Sequence, residues 1–136
     1  IKNIINYLQK CYFLNSNINL EIAQKICTNI DYGKFKDFTN YCILASKNNS
    51  ENLQLNLINA INILNSIYDM GYSVNDILDS YFIYIKIFNL IEDNLKFIII
   101  KLLCKYITYF YSLHEDEIEL ALFTNDIIKE MISYYN

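Results

Sequence analysis

The sequence has no proline, no arginine, one histidine and only two glycines, Gly33 and Gly71, in 136 residues. A chain so short of backbone breakers reads as helices joined by short polar segments. Without arginine there is no planar fork to clamp carboxylates or phosphates bidentately, and all eleven basic residues are lysines. The net charge of −4 argues against nucleic acid as a direct ligand, because phosphate contacts need a basic surface. The crowding of Ile, Asn, Tyr and Lys reads as codon bias from an AT-rich genome and not as function.

Catalytic signatures are missing as well. There is no GxxxxGK[ST] loop to cradle phosphates, and neither GxSxG nor HExxH occurs. The four cysteines, Cys11, Cys27, Cys42 and Cys104, never fall into a CxxC pair, and the lone His114 cannot complete a ligand set. No metal site is expected, and the cysteines read as small apolar filler in a reducing intracellular compartment. No signal peptide is read at the start. The most apolar run, Leu95 to Leu113, carries Lys96, Lys101 and Lys105, so no membrane span is expected. The chain starts inside a helical pattern and without Met, which reads as a piece of a longer protein.

What remains is apolar content, 54% of the chain, enough to exclude disorder and to build one domain of this length. Helical spacing predicts segments over Ile1–Tyr12, Leu20–Cys27, Lys34–Ser46, from Ser50 as N-cap to Met70, from Ser73 as N-cap to about Asn89, Leu95–Tyr111 and Glu115–Tyr134. In the third, Phe35, Phe38, Cys42 and Leu44 or Ala45 point inward. In the fourth, Leu53, Leu57, Ala60, Leu64 and Ile67 form the main stripe, with Asn56 on another face. Leu95–Tyr111 is apolar almost all round, which suits the middle of a bundle. The expected core is Leu57, Leu64, Ile77, Phe82, Ile98, Leu102 and Phe123. No internal repeat and no sustained heptad pattern is visible.

Gly71 suits the left-handed position that closes a helix. Ser73 then caps the next one, with Asp76 three residues on as the acid of a capping box. Asp69, Asp76 and Asp79 surround this junction, and capping explains them more simply than an acid site. The HEDE run from His114 to Glu117 could hold a metal only weakly, and a solvated helix start accounts for it. Tyr72 is read as a ring packed over the junction. Lys101 and Lys105, one helical turn apart, fit either a solvated edge or a contact to an anion or partner.

The stretch from Ile67 to Phe88, IYDMGYSVNDILDSYFIYIKIF, resembles the C-terminal domain of replication factor C small subunits, which load the sliding clamp onto DNA. Gly71, Tyr72, Ser73, Asp76, Ile77, Phe82, Lys86 and Phe88 match that family's pattern. IKNIINYLQ at the start is similar to the family's lid helix through Asn6, Leu8 and Gln9. Lys2 stands where the family has an arginine that reaches ATP phosphates. LKFIIIKLLCKYITYFYSL matches a later helix weakly, through Leu95, Lys96 and Ile98, and the family's SxxQ is replaced by Glu117, Ile118 and Glu119.

The resemblance implies an all-α, collar-like bundle of about five to six helices. Residues 1–14 would end the ATPase lid region and 15–136 would form the collar that holds five subunits in a ring. It implies a non-catalytic piece of an AAA+ ATPase subunit, working in the nucleus in DNA replication. Its partners would be other clamp-loader subunits, with clamp and DNA met only through the whole complex. ATP and magnesium would belong to the full-length subunit, with no cofactor here and Lys2 the one residue near nucleotide. The surplus of apolar residues on the last two helices predicts a subunit interface there, including Leu122, Phe123, Met131 and Tyr135. A free-standing helical adaptor that takes a partner helix in a groove is the alternative. A third reading is an enzyme whose site escapes motif recognition.

Overall fold

The computed structural model describes Ile5, Leu8 and Gln9 together with residues 30–47, 52–110 and 116–135. Five helices cover most of these: α1 (Tyr32–Lys47), α2 (Leu53–Asp69), α3 (Val74–Ile87), α4 (Asp93–Phe110) and α5 (Ile118–Tyr135). No strand occurs among the described residues, and the all-α class follows. The readings that involve Lys2, Cys11, Cys27, His114 and the segment Leu20–Cys27 lie outside the described residues.

Local chemistry starts each helix. The Asp31 carboxylate accepts from Gly33 N at 2.9 Å, and its carbonyl accepts from Lys34 N, which opens α1. The N-cap position of α2 is Asn52, whose side chain makes no capping bond; this moves the start two residues beyond the expected Ser50. Asp116 accepts from Ile118 N at 3.2 Å and places an acid at the positive end of α5. No described helix is long and apolar enough to cross a membrane.

α1 packs most extensively on α2 and also meets α5 and α3; α5 in turn touches α1, α2 and α4. The centre is therefore the α1–α5 contact. Phe35, Phe38, Tyr81 and Phe123 are fully buried there, with Phe38 and Phe123 stacked at 6.4 Å and Phe38 edge-on to Tyr81 at 5.1 Å. Aromatic pairs in these geometries add to the gain from burial alone.

α4 does not occupy the middle. Its substantial contacts are with α3 and α5 only. Leu95, Ile99, Leu102, Leu103 and Tyr106 go inward, while Phe97 is left 70% exposed. The helix looked central because it is apolar on every side, but only one side has neighbours among the described residues.

The expected core holds for Leu64, Ile77, Leu102 and Phe123. Leu57 and Phe82 pack against the core while only partly buried, and Ile98 is likewise half-buried. The reason in α2 is rotation: Asn56, expected on an outer face, is buried, and Leu55 and Ile58 are exposed. In α1 it is Ala45 that is buried, with Leu44 outside.

Candidate functional site

The α2–α3 junction takes the form its sequence dictates. Gly71 has φ 96°, the left-handed region where a Cβ is strained. Its N–H donates to the Tyr68 carbonyl at 2.8 Å, closing α2. Two residues later Ser73 is extended and its hydroxyl accepts from Asp76 N at 3.0 Å. The Asp76 carboxylate accepts from Ser73 N at 3.4 Å, so both halves of the capping box are present, the second of them long. Tyr72 packs half-buried against the core. Partial burial and then the neighbouring Asp76 charge raise the Asp79 carboxyl above its usual range. The junction is thus a structural corner, closed by the Gly71 turn and the Ser73–Asp76 box.

The four residues expected at a subunit interface do not share one surface. Phe123 and Met131 are fully buried in the chain's own core, which corrects their assignment: a side chain with no exposed area cannot meet a partner. α5 carries more than one apolar stripe, and these two residues belong to the one turned into the core. Leu122 (46% exposed) and Tyr135 (39%) do reach the surface. They lie thirteen positions apart on α5, about 20 Å along the axis. Tyr135 is in addition covered in part by Lys47, whose ammonium lies 4.9 Å from its ring centre.

Surface grooves among the described residues include two between helix pairs. One, of about 520 Å³, lies between α1 and α2 and is lined by Asp37, Asn40, Tyr41, Leu44 and Ile63. The other, of about 460 Å³, lies between α4 and α5 and is lined by Phe97, Ile98, Lys101, Leu102, Lys105 and Glu130. It brings Lys101 and Lys105 together on one rim. The sequence had singled out those lysines but neither Phe97 nor Glu130. The signal for Phe97 was its spacing, one turn before Lys101 and two before Lys105. Glu130 carries no such signal, because it reaches the groove from another helix.

Hydrogen bonds pin α4 to α5. Tyr106 Oη donates to the Asp126 carboxylate at 2.8 Å, and Tyr134 Oη donates to Glu92, just before α4, at 2.6 Å. Burial first, then the bond to Asp126, push the Tyr106 phenol up. For Tyr134 the bond to Glu92 is the leading cause of a raised value. Each phenol therefore keeps its proton as donor at neutral pH.

Other reactive groups are subdued. Burial pushes the Cys42 thiol up, so it remains protonated and is no nucleophile. Cys104 is free and exposed on α4. Among the described residues no three His, Cys, Asp or Glu side chains come together as a metal set. The sequence matches no protein-family model and no curated protein.

Proposed function

We propose that this chain is the collar domain of a replication factor C small subunit, a non-catalytic helical module that holds the clamp-loader ring together. The observation that carries the reading is the Gly71–Asp76 corner. The segment with the strongest resemblance to that family is also the one where a left-handed glycine and a capping box join two core helices. The all-helical architecture supports it. So do large apolar side chains left exposed, notably Ile83 and Ile87 on α3 and Leu122 on α5. Under this reading the chain works in the nucleus, and its partners are the other clamp-loader subunits. Clamp and DNA are met through the complex, and nucleotide belongs to the ATPase modules.

The protein, tagged and purified from its own cells, should sediment with the other clamp-loader subunits in one complex. Leu122→Glu should weaken that assembly while the isolated chain keeps its helical circular dichroism. The chain alone should show no saturable ATP binding at micromolar concentration. Recovery of the chain without any clamp-loader subunit would defeat the reading and leave the helical adaptor in its place.

A further inference from the structure

The α4–α5 groove lies between two pins. Tyr134 holds α5 to Glu92 at one end, and Tyr106 holds Asp126 at the other. Between them α4 presents Phe97, Lys101 and Lys105 at successive turns, over about 12 Å. The apolar part of the lining is Phe97, Ile98 and Leu102. Phe97 is the most exposed aromatic ring among the described residues.

The lining carries two lysines and one glutamate, a net positive charge. The ion pairs among the described residues are Lys96–Asp93 and Lys129–Asp126, and neither includes Lys101 or Lys105. Lys105 does have a neighbour, since its ammonium lies about 6 Å from the ring centres of Tyr106 and Tyr109, which holds it over α4 without neutralising it. Glu130 lines the opposite wall and is in neither of the ion pairs among the described residues.

We propose that this groove docks an acidic amphipathic helix of a partner protein. The partner's apolar ridge rests on Phe97, Ile98 and Leu102, and two carboxylates one turn apart meet Lys101 and Lys105. Residues four apart on a helix lie about 6 Å apart, so lysines and carboxylates at that spacing register when two helices run side by side. Glu130 repels acid on the other flank, which sets the partner's orientation as well as its charge. An anionic membrane fits less well. The chain carries −4 overall, and lipid-binding segments gather about four to eight basic residues where this groove has two. The groove is open to such a partner whether the chain serves as a collar or as an adaptor.

The test uses the whole chain and two synthetic amphipathic peptides. Both carry the same leucine stripe; one has glutamates four apart along one flank, the other lysines at those positions. Fluorescence anisotropy should show saturable binding of the acidic peptide, weakening as salt is raised, and little binding of the basic one. Lys101→Glu combined with Lys105→Glu should weaken the acidic peptide by about ten-fold or more and create binding of the basic peptide. Phe97→Ser should weaken either interaction. These side chains are exposed, and unchanged thermal melts will show that each variant is folded.

Equal affinity for the two peptides, or binding of neither, would overturn the proposal. Sedimentation of the chain alone as a dimer that Lys101→Glu dissociates would assign the groove to a second copy instead. Pelleting with phosphatidylserine vesicles through the same lysines would assign it to a membrane; either result sinks the helix proposal. The titration contains no clamp-loader subunit. Its failure leaves the collar reading standing, and failed co-purification leaves the groove standing.

Discussion

Tyr81 and Tyr84 sit one turn apart on α3, both buried, and only one has its hydroxyl satisfied. Thr39 donates its single proton to the Phe35 carbonyl at 2.7 Å, so the 3.0 Å contact with Tyr81 requires the Tyr81 phenol to be the donor. The Tyr84 hydroxyl is buried and has no hydrogen-bond partner among the described residues. Tyr81→Phe should therefore cost about 1 kcal/mol, the net worth of a buried bond. Tyr84→Phe should be neutral or stabilising by about 1 kcal/mol, because it removes an unpaired buried group. Urea melts of the two variants against the parent decide this, and a larger loss for Tyr84→Phe would contradict it.

The same pair sets an alkaline limit. Burial, then the Asp37 charge, pushes the Tyr84 phenol up to about 12, against about 10 in an unfolded chain. Tyr81 is raised as well, chiefly by burial. A group whose folded value lies above its unfolded one contributes stability that is complete below the unfolded value. That contribution drains away as pH rises from about 10 through about 12. Melting temperature should fall over that window, and Tyr84→Phe should flatten part of the fall. Asp79 runs the same way at the acid end. Its raised carboxyl costs stability above its folded value, so Asp79→Asn should lessen the rise in stability as pH drops through the carboxylate range.

At the scale of elements, the α2–α3 corner was legible because its chemistry is local. A glycine, a serine and an aspartate within six residues supply its turn and its capping box. Gly71→Val should destabilise by about 1 kcal/mol or more through backbone strain, and Ser73→Ala by about 1 kcal/mol through the lost cap. A chemical melt of either variant that overlays the parent would refute the account. What could not be read was which of several apolar stripes turns inward. In α5 the periodicity serves Leu122 and Phe123 alike, and only the position of α1 decides that Phe123 is buried. Thr39 was invisible as a core residue for a similar reason: its partner Tyr81 lies 42 residues away. Asn56 breaks the stripe of α2 because that helix is rolled further toward α1 and α5 than its leucines alone suggest.

At the scale of the molecule, the core is closed by its most distant helices. Phe123 of α5 meets Phe38, Tyr81 and Tyr106, drawn from three other helices. Phe123→Ala should cost about 3 to 5 kcal/mol, the usual range for a buried phenylalanine, and denaturant unfolding will measure it. A loss below about 1 kcal/mol would mean that the site collapses around the gap.

That closure also has a consequence in time. During synthesis α1 docks on α2 and Tyr81 of α3 meets Phe38 edge-on, yet the Phe38 face that stacks on Phe123 stays uncovered until α5 has left the ribosome. Over that interval the nascent chain holds an aromatic face that α5 has yet to cover, the condition in which holding chaperones are needed and premature stops become aggregates. A message interrupted before Ile118 would therefore yield an insoluble product, although four of the five described helices would already have been made.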